Sequence, residues 1–337
     1  MYKLQHSKKE IGRAGDRLVI SAKDAIPYDD MDINILHSWR MAHLYPLQQI
    51  EFYLEREALK INQKVITSSR IKRTPSIITK LIRFPKMKLH KMQDLGGCRA
   101  ILANVDEVYE LEGVIQNLKF QHQLIRVDDY MRDVKPSGYR SMHLVYAFHN
   151  KKHPELNGLR IEIQVRTTIQ HSWATAVEMV GLFRRESLKS SLGDESWLRF
   201  FRLVSDLFHM IDSKNIGHYN QTSDEIKALA KKLRVFEVLD AYNKVVQHIE
   251  NDIKTDNGVY VILLDTEKRW VKIDNFKNQN FKAAADAYIQ AEKYCIKNDS
   301  CEVAMVSVND ISQLKNAYPA YFLDTKTFLN NIRRFVF

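Results

Sequence analysis

The stretch Leu159-Arg160-Ile161-Glu162-Ile163-Gln164-Val165-Arg166-Thr167 constrains the fold of this chain more than any other. Its alternation is strict. Ile161, Ile163 and Val165 point one way and Arg160, Glu162, Gln164 and Arg166 the other, the period of two that a β-strand imposes. A polar face of two guanidiniums, a carboxylate and an amide suits planar, oriented recognition better than general solvation. Ile169, Trp173, Ala176 and Val180 follow at helical spacing. The strand therefore runs into a helix, the junction at which α/β folds hold their ligands.

A chain of 337 residues, 45% apolar, can bury the cores of one large α/β domain and a smaller one. Cys98, Cys295 and Cys301 show no CxxC or Cys/His metal spacing and read as free thiols of a reducing cytoplasm. The N-terminus is too charged for a signal peptide, and the longest apolar run, residues 259–264, is far too short to span a bilayer. A soluble cytoplasmic protein with no membrane partner is expected.

Charge placement is more informative than the net +10. Residues 58–93 contain no Asp or Glu, yet carry Lys60, Lys64, Arg70, Lys72, Arg73, Lys80, Arg83, Lys86, Lys88 and Lys91. Such local imbalance points to a polyanion, either a nucleoside triphosphate or a nucleic-acid backbone; a solvated basic face is the plainer alternative. Pro75 and Ser76 fit a helix start, with Lys80 one turn on, and the positive end of that helix would add to the attraction for phosphate. Asp94-Leu95-Gly96-Gly97-Cys98-Arg99 then leads into a short buried strand. Its glycines would permit a tight turn and close approach of a ligand, and Asp94 could hold Mg²⁺ or simply cap its own turn. Further on, Tyr139, Ser141 and His143 share one face of a strand, as a stacking ring beside a phosphate-reaching imidazole or as core and surface residues without that role.

Taken in order, Arg70-x-Lys72-x-x-x-Ser76-x-x-x-Lys80, Asp94-Leu-x-Gly-x-Arg99, Asp129-Tyr130 with Lys135-x-x-Gly-Tyr139-x-Ser-x-His143, and Glu162-Ile-Gln164-Val-Arg166-Thr167 resemble the synthetase domain of the RelA/SpoT alarmone synthetase family. The resemblance implies an α/β (α+β) fold, a mixed-sheet, nucleotidyltransferase-like domain flanked by helices. It also implies transfer of diphosphate from ATP to the 3′-hydroxyl of GDP or GTP, with Mg²⁺ as cofactor. Under it, Arg70, Lys72, Ser76 and Lys80 resemble the ATP phosphate cradle and Arg99 the arginine that packs on adenine. Asp94 and Glu162 resemble the catalytic, metal-holding carboxylates, with Glu162 placed to take the hydroxyl proton. Lys135, Tyr139, His143, Gln164, Arg166 and His171 fall on the acceptor side. Thr175 stands where family members often carry an acidic residue, so the acceptor is open: relatives that modify tRNA 3′ ends or adenine nucleotides, and a silent RNA-binding protein that keeps the fold, are the alternatives. No His-Asp pair precedes the synthetase motifs, which implies synthesis without hydrolysis.

The remaining organisation reads as a polar segment without periodicity over residues 1–34, the synthetase domain over 35–212, and a linker near 213–221. A single long amphipathic helix is predicted over 222–254, with Thr222 and Glu225 as its capping box and a scaffold or homo-oligomer seam as its role. A small α+β appendage is predicted over 256–337.

Overall fold

Three helices precede the first strand: α1 (Lys8–Lys23), α2 (Asp30–Met41) and α3 (Leu44–Ile61). The structure, a computed structural model, describes residues 4–184, 186, 188, 191–214, 220–244, 247–249, 258–265, 267–268, 270–277, 281–296, 298, 300–308, 314, 316–319 and 325–337. There follow β1 (Ile66–Ile71), α4 (Thr74–Arg83), β2 (Gly96–Leu102), α5 (Val105–Gln116), β3 (Gln123–Asp129), β4 (Met142–Ala147), β5 (Arg160–Thr167), α6 (Thr168–Arg184) and α7 (Glu195–Asp212). The chain continues through α8 (Asn220–Lys232), α9 (Val235–Lys244), β6 (Gln247–Ile249), β7 (Gly258–Asp265), β8 (Trp270–Lys277), α10 (Phe281–Ile296), β9 (Cys301–Val308) and α11 (Lys326–Val336).

The strands form one nine-stranded mixed sheet in the order β3-β4-β5-β2-β1-β9-β7-β8-β6. β2 and β5 run parallel, with Gly97 opposite Glu162 and Arg99 opposite Gln164. The predicted alternation holds. Ile161, Ile163 and Val165 are buried in the core that α3, α5 and α10 build on one face of the sheet, while Glu162 and Gln164 stay partly exposed on the other. Over that other face α6 and α7 join α8, α9 and α11 in an aromatic cluster holding Trp173, Trp197, Phe200, Phe201 and Phe328.

Four expectations change. Residues 1–34 are not featureless: Ser7 and Glu10 form a capping box that opens α1, whose Ile11, Ala14 and Leu18 bury against Trp39, Ile77 and Leu81. Gly96 and Gly97 lie inside β2 rather than in a turn, and a Cβ at Gly96 would meet Ile161 Cδ1 at 2.8 Å, so that glycine serves packing. The single long helix breaks, because Arg234 takes a left-handed φ of 51°. The break lets Ile226 and Ala230 of α8 and Val235 and Leu239 of α9 all bury in the aromatic cluster; α8 also starts at Asn220, so Thr222 is not its cap, and residues 250–254 lie outside the described residues. The C-terminal strands do not stand apart as an appendage. β9 pairs antiparallel with β1 at Ser69↔Ser307 and Arg70↔Val306, supplying partners to backbone groups that would otherwise form an open edge.

Gly138 is the one turn glycine whose freedom the site requires. Its φ is +87°, and a Cβ there would sit 3.0 Å from Ser205 Cβ and 3.2 Å from Arg202 Cα. Gly138→Ala is expected to lower stability by about 1–3 kcal/mol, read as a lower urea midpoint at an unchanged slope; an unchanged midpoint would show that the loop relaxes without cost.

Candidate active site

Period two and the parallel register bring the polar side chains of β2, β4 and β5 onto one face of the sheet. On that face Gln164 Nε2 donates to Glu162 Oε2 at 2.7 Å and Arg166 Nη2 donates to Gln164 Oε1 at 2.7 Å. His143, arriving from β4, places Nδ1 at 3.0 Å from Glu162 Oε1 and Nε2 at 2.8 Å from the Tyr139 hydroxyl. Both oxygens of Glu162 are thus engaged. Burial alone would raise its pKa, but His143, Gln164 and Lys72 outweigh it and hold the carboxyl well below the usual carboxylate range. Burial likewise opposes the charged form of His143, yet Tyr139 and Glu162 prevail and raise it to about 9.

A second cluster stands at the start of β2. Lys72, just past β1, and Lys80, on α4, both donate to Asp94 Oδ2, at 3.0 and 2.7 Å. Asp94 Oδ1 is buried with no hydrogen-bond partner among the described residues. Burial raises the Asp94 pKa, and the two lysines more than reverse that, leaving it below its ordinary value. Glu162 acts on Asp94, and Lys72 on Glu162, so the clusters share one field. Burial pulls Lys72 below its usual range, with Lys80 and Arg70 adding to the effect against the pull of Asp94. Ser76 is partly exposed in the first turn of α4.

Two placements differ from expectation. Most of the predicted side chains lie along the sheet face, toward the N-terminal ends of β2 and β5, with Arg166 and His171 at the β5–α6 junction. At that junction Thr167 is spent on structure, its hydroxyl donating to Asp212 and its amide to Gln170 Oε1. Nor is the first amide of α4 open to phosphate: the Thr74 amide donates to Glu292 Oε1 at 2.9 Å.

The acceptor-side residues fall into two groups. Gln164 and Arg166 join the Glu162 network. Tyr139 joins it only through His143, is 4% exposed and packs in the aromatic cluster with Trp173, while Lys135 Nζ lies 3.8 Å from the centre of the partly exposed Tyr130 ring and 4.9 Å from that of Tyr139. His171 Nε2 lies 3.0 Å from the Asn316 carbonyl oxygen.

Arg99 is covered by the same segment. Its guanidinium lies 5.2 Å from the centre of the Tyr318 ring and donates to the Ala317 carbonyl at 3.1 Å, while the Tyr318 hydroxyl donates to Ser69 O at 2.8 Å. Burial, then Arg166, lowers the Arg99 pKa to about 10. Sequence reasoning did not find Tyr318, Arg40 or Glu292, all of which reach this site across long sequence separations.

In this α/β domain basic side chains thus converge on two carboxylates on one face of the sheet. Residues 69–181 match the family model described as "Region found in RelA / SpoT proteins". The chain is 28% identical over 160 residues to GTP pyrophosphokinase YwaC of Bacillus subtilis, covering 45% of this chain and 71% of that protein. It is 30% identical over 113 residues to GTP pyrophosphokinase YjbM of the same organism, covering 32% and 52% respectively. Among solved structures, small alarmone synthetase 2 from Bacillus subtilis aligns with a TM-score of 0.44 at 21% identity, over 54% of this chain and 96% of that one. Small alarmone synthetase 1 from Bacillus subtilis, bound to its product pppGpp, aligns with a TM-score of 0.44 at 21% identity, over 52% and 93%. The chain carries the RelA/SpoT region and is a relative of these GTP pyrophosphokinases.

His143 gives the site a pH signature. Its folded value of about 9 exceeds the ordinary 6.5, so its contribution to stability is complete below 6.5 and is lost as pH rises through 9. The stability difference between wild type and His143→Gln, from urea melts at about pH 6, 7.5 and 9.5, should shrink across that window; a constant difference would mean that folding leaves the imidazole pKa unshifted.

Proposed function

We propose that this chain is a nucleotide pyrophosphokinase that transfers the β,γ-diphosphate of ATP to the ribose 3′-hydroxyl of GDP or GTP, giving AMP and (p)ppGpp. The observation that carries the reading is the convergence of Lys72 and Lys80 on Asp94, beside Glu162, within the RelA/SpoT region. The acceptor oxygen bonds to the β-phosphorus, the bond from that phosphorus to the bridging oxygen breaks, and AMP leaves with the electron pair. Such transfers depend on positioning and charge neutralisation more than on covalent help. Lys72 and Lys80 exchange part of their contact with Asp94 for the polyphosphate, with Arg70 and Ser76 alongside.

Mg²⁺ would be held by Asp94, whose buried Oδ1 has unmet acceptor capacity, with Glu162 near it, and would neutralise charge developing on the phosphates. Two carboxylates suffice for an ion that also binds phosphate oxygens, in keeping with the lack of any cluster of three metal-ligating side chains among the described residues. Glu162 is ionised at neutral pH and accepts the 3′-hydroxyl hydrogen bond, taking its proton late; a carboxylate so stabilised is a weak base, which a loose transition state tolerates. Gln164 and Arg166 hold Glu162 in place. Lys135 and Tyr130 form the more open aromatic and cationic platform for the acceptor, with Tyr139 behind them. No helix among the described residues is long and apolar enough to cross a membrane, and nucleotide substrates fit a cytoplasmic setting.

Labelled ATP with Mg²⁺ should release AMP and pass label to GDP or GTP when these are supplied; label appearing only in tRNA or in an adenine nucleotide would replace this acceptor. Glu162→Gln should cut transfer by ~10²-fold or more, and survival of activity would remove Glu162 from its role. Tyr318 packs on the Arg99 guanidinium and would compete with a base for that surface. Tyr318→Ala should therefore lower the KM for ATP several-fold, on the order of the ~0.5–2 kcal/mol of a desolvated cation–π contact; a raised KM would mean that Tyr318 forms part of the base pocket instead.

A further inference from the structure

We infer that Arg40 of α2 and Glu292 of α10 are positioning residues for the phosphate cradle, so that the C-terminal part of the chain completes the ATP site. This rests on the assignment of Lys72 and Lys80 to ATP phosphates made above.

The two side chains are 0% and 1% exposed and meet as a forked pair, Arg40 Nη1 to Glu292 Oε2 at 2.7 Å and Nη2 to Oε1 at 3.3 Å. Two of their other bonds go to the cradle backbone, and His37 Nε2 also lies 3.1 Å from Glu292 Oε2. Arg40 Nε donates to the Lys72 carbonyl at 2.9 Å, and Glu292 Oε1 accepts the Thr74 amide at 2.9 Å. Between them the Thr74 hydroxyl accepts from Arg40 Nη1 at 2.9 Å and donates to Glu292 Oε2 at 3.0 Å. Tyr288 donates to Glu292 Oε1 at 2.9 Å and accepts from Arg40 Nη2 at 2.7 Å.

The consequence for Lys72 is specific. Its carbonyl is held by Arg40 and its amide donates to Leu95 O at 2.8 Å, so its backbone is fixed on both sides while its ammonium reaches Asp94. Arg73, the residue before α4, gives no side-chain cap, and Glu292 supplies that cap from across the fold, setting the start of the helix that carries Ser76 and Lys80. A buried ion pair adds little stability over a well-packed apolar pair. What an apolar pair cannot do is hold the Lys72 carbonyl and the first amide of α4 in one fixed relation.

The test uses the full-length chain and a non-hydrolysable ATP analogue with Mg²⁺, followed by calorimetric titration. Arg40→Lys keeps a charge for Glu292 but loses the fork and the bond to Lys72 O. It should weaken analogue binding roughly tenfold, as a cradle displaced by a fraction of an ångström would, while the KM for the acceptor stays unchanged. Glu292→Gln, which keeps the shape and removes the charge, should act in the same direction. A folded Arg40→Lys protein with wild-type analogue affinity overturns the inference. So does an equal loss of ATP and acceptor affinity, or failure of both variants to fold, since either marks a purely structural pair. Lys72→Ala is the control for the underlying assignment: if it binds the analogue as well as wild type does, the cradle assignment fails, whatever Arg40 does.

Discussion

The parallel pairing of β2 with β5 is the constraint on which the rest of the site depends. Because side chains alternate along a strand, one register decides whether Glu162, Gln164 and Arg99 share a face or are dispersed. The observed register puts Gly97 beside Glu162, while Ile161, Ile163 and Val165 fill the opposite core. A slip by one residue would bury a carboxylate among Leu and Ile side chains and expose three β-branched residues, at a cost of several kcal/mol for the charge alone. The hydrophobic effect on one face thus fixes the chemistry on the other.

That chemistry is a balance in which no charge stands alone. Asp94 is shared by two lysines and Glu162 by an imidazolium and an amide, so both carboxylates remain ionised despite their burial. Burial chiefly depresses Lys72 and Arg99, and neighbouring cations add to it; cations exceed anions here once Arg99 and Arg166 are included. A polyanion relieves the imbalance. Within that excess the two carboxylates space the cations, Asp94 between Lys72 and Lys80 and Glu162 beside His143.

The sequence revealed period and charge well and long-range closure poorly. The β5 alternation, the acid-free basic span and the order of the motifs were legible because each is local. The helix α1 was legible in principle: Ser7 and Glu10 make a capping box, and Ile11, Ala14 and Leu18 recur at helical spacing. Gly12 and Gly15 obscured it, although they are what allow close packing, a Cβ at Gly15 meeting Leu89 Cβ at 2.7 Å. The break at Arg234 could not be read, since a left-handed arginine carries no local signal and is held there by burial on both sides. Tyr139 shows the limit from the other direction: the motif suggested an open stacking ring, whereas packing against Trp173 buries it and leaves Tyr130 the more accessible.

The pairing of β9 with β1 joins segments more than two hundred residues apart, and no periodicity announces it. Its effect is nonetheless chemical. Once β9 lies against β1, α10 is carried to the entrance of α4, and the segment around residues 316–318 is carried over Arg99 and His171. A chain ending at the synthetase motifs would leave Arg40 a buried cation without its carboxylate and the first amide of α4 without its acceptor, a state expected to cost several kcal/mol. The C-terminal elements are therefore bound to the site by energy as well as by proximity. Any movement that shifts α10 must be felt at Lys72, because the same buried arginine bonds Glu292 and the Lys72 carbonyl.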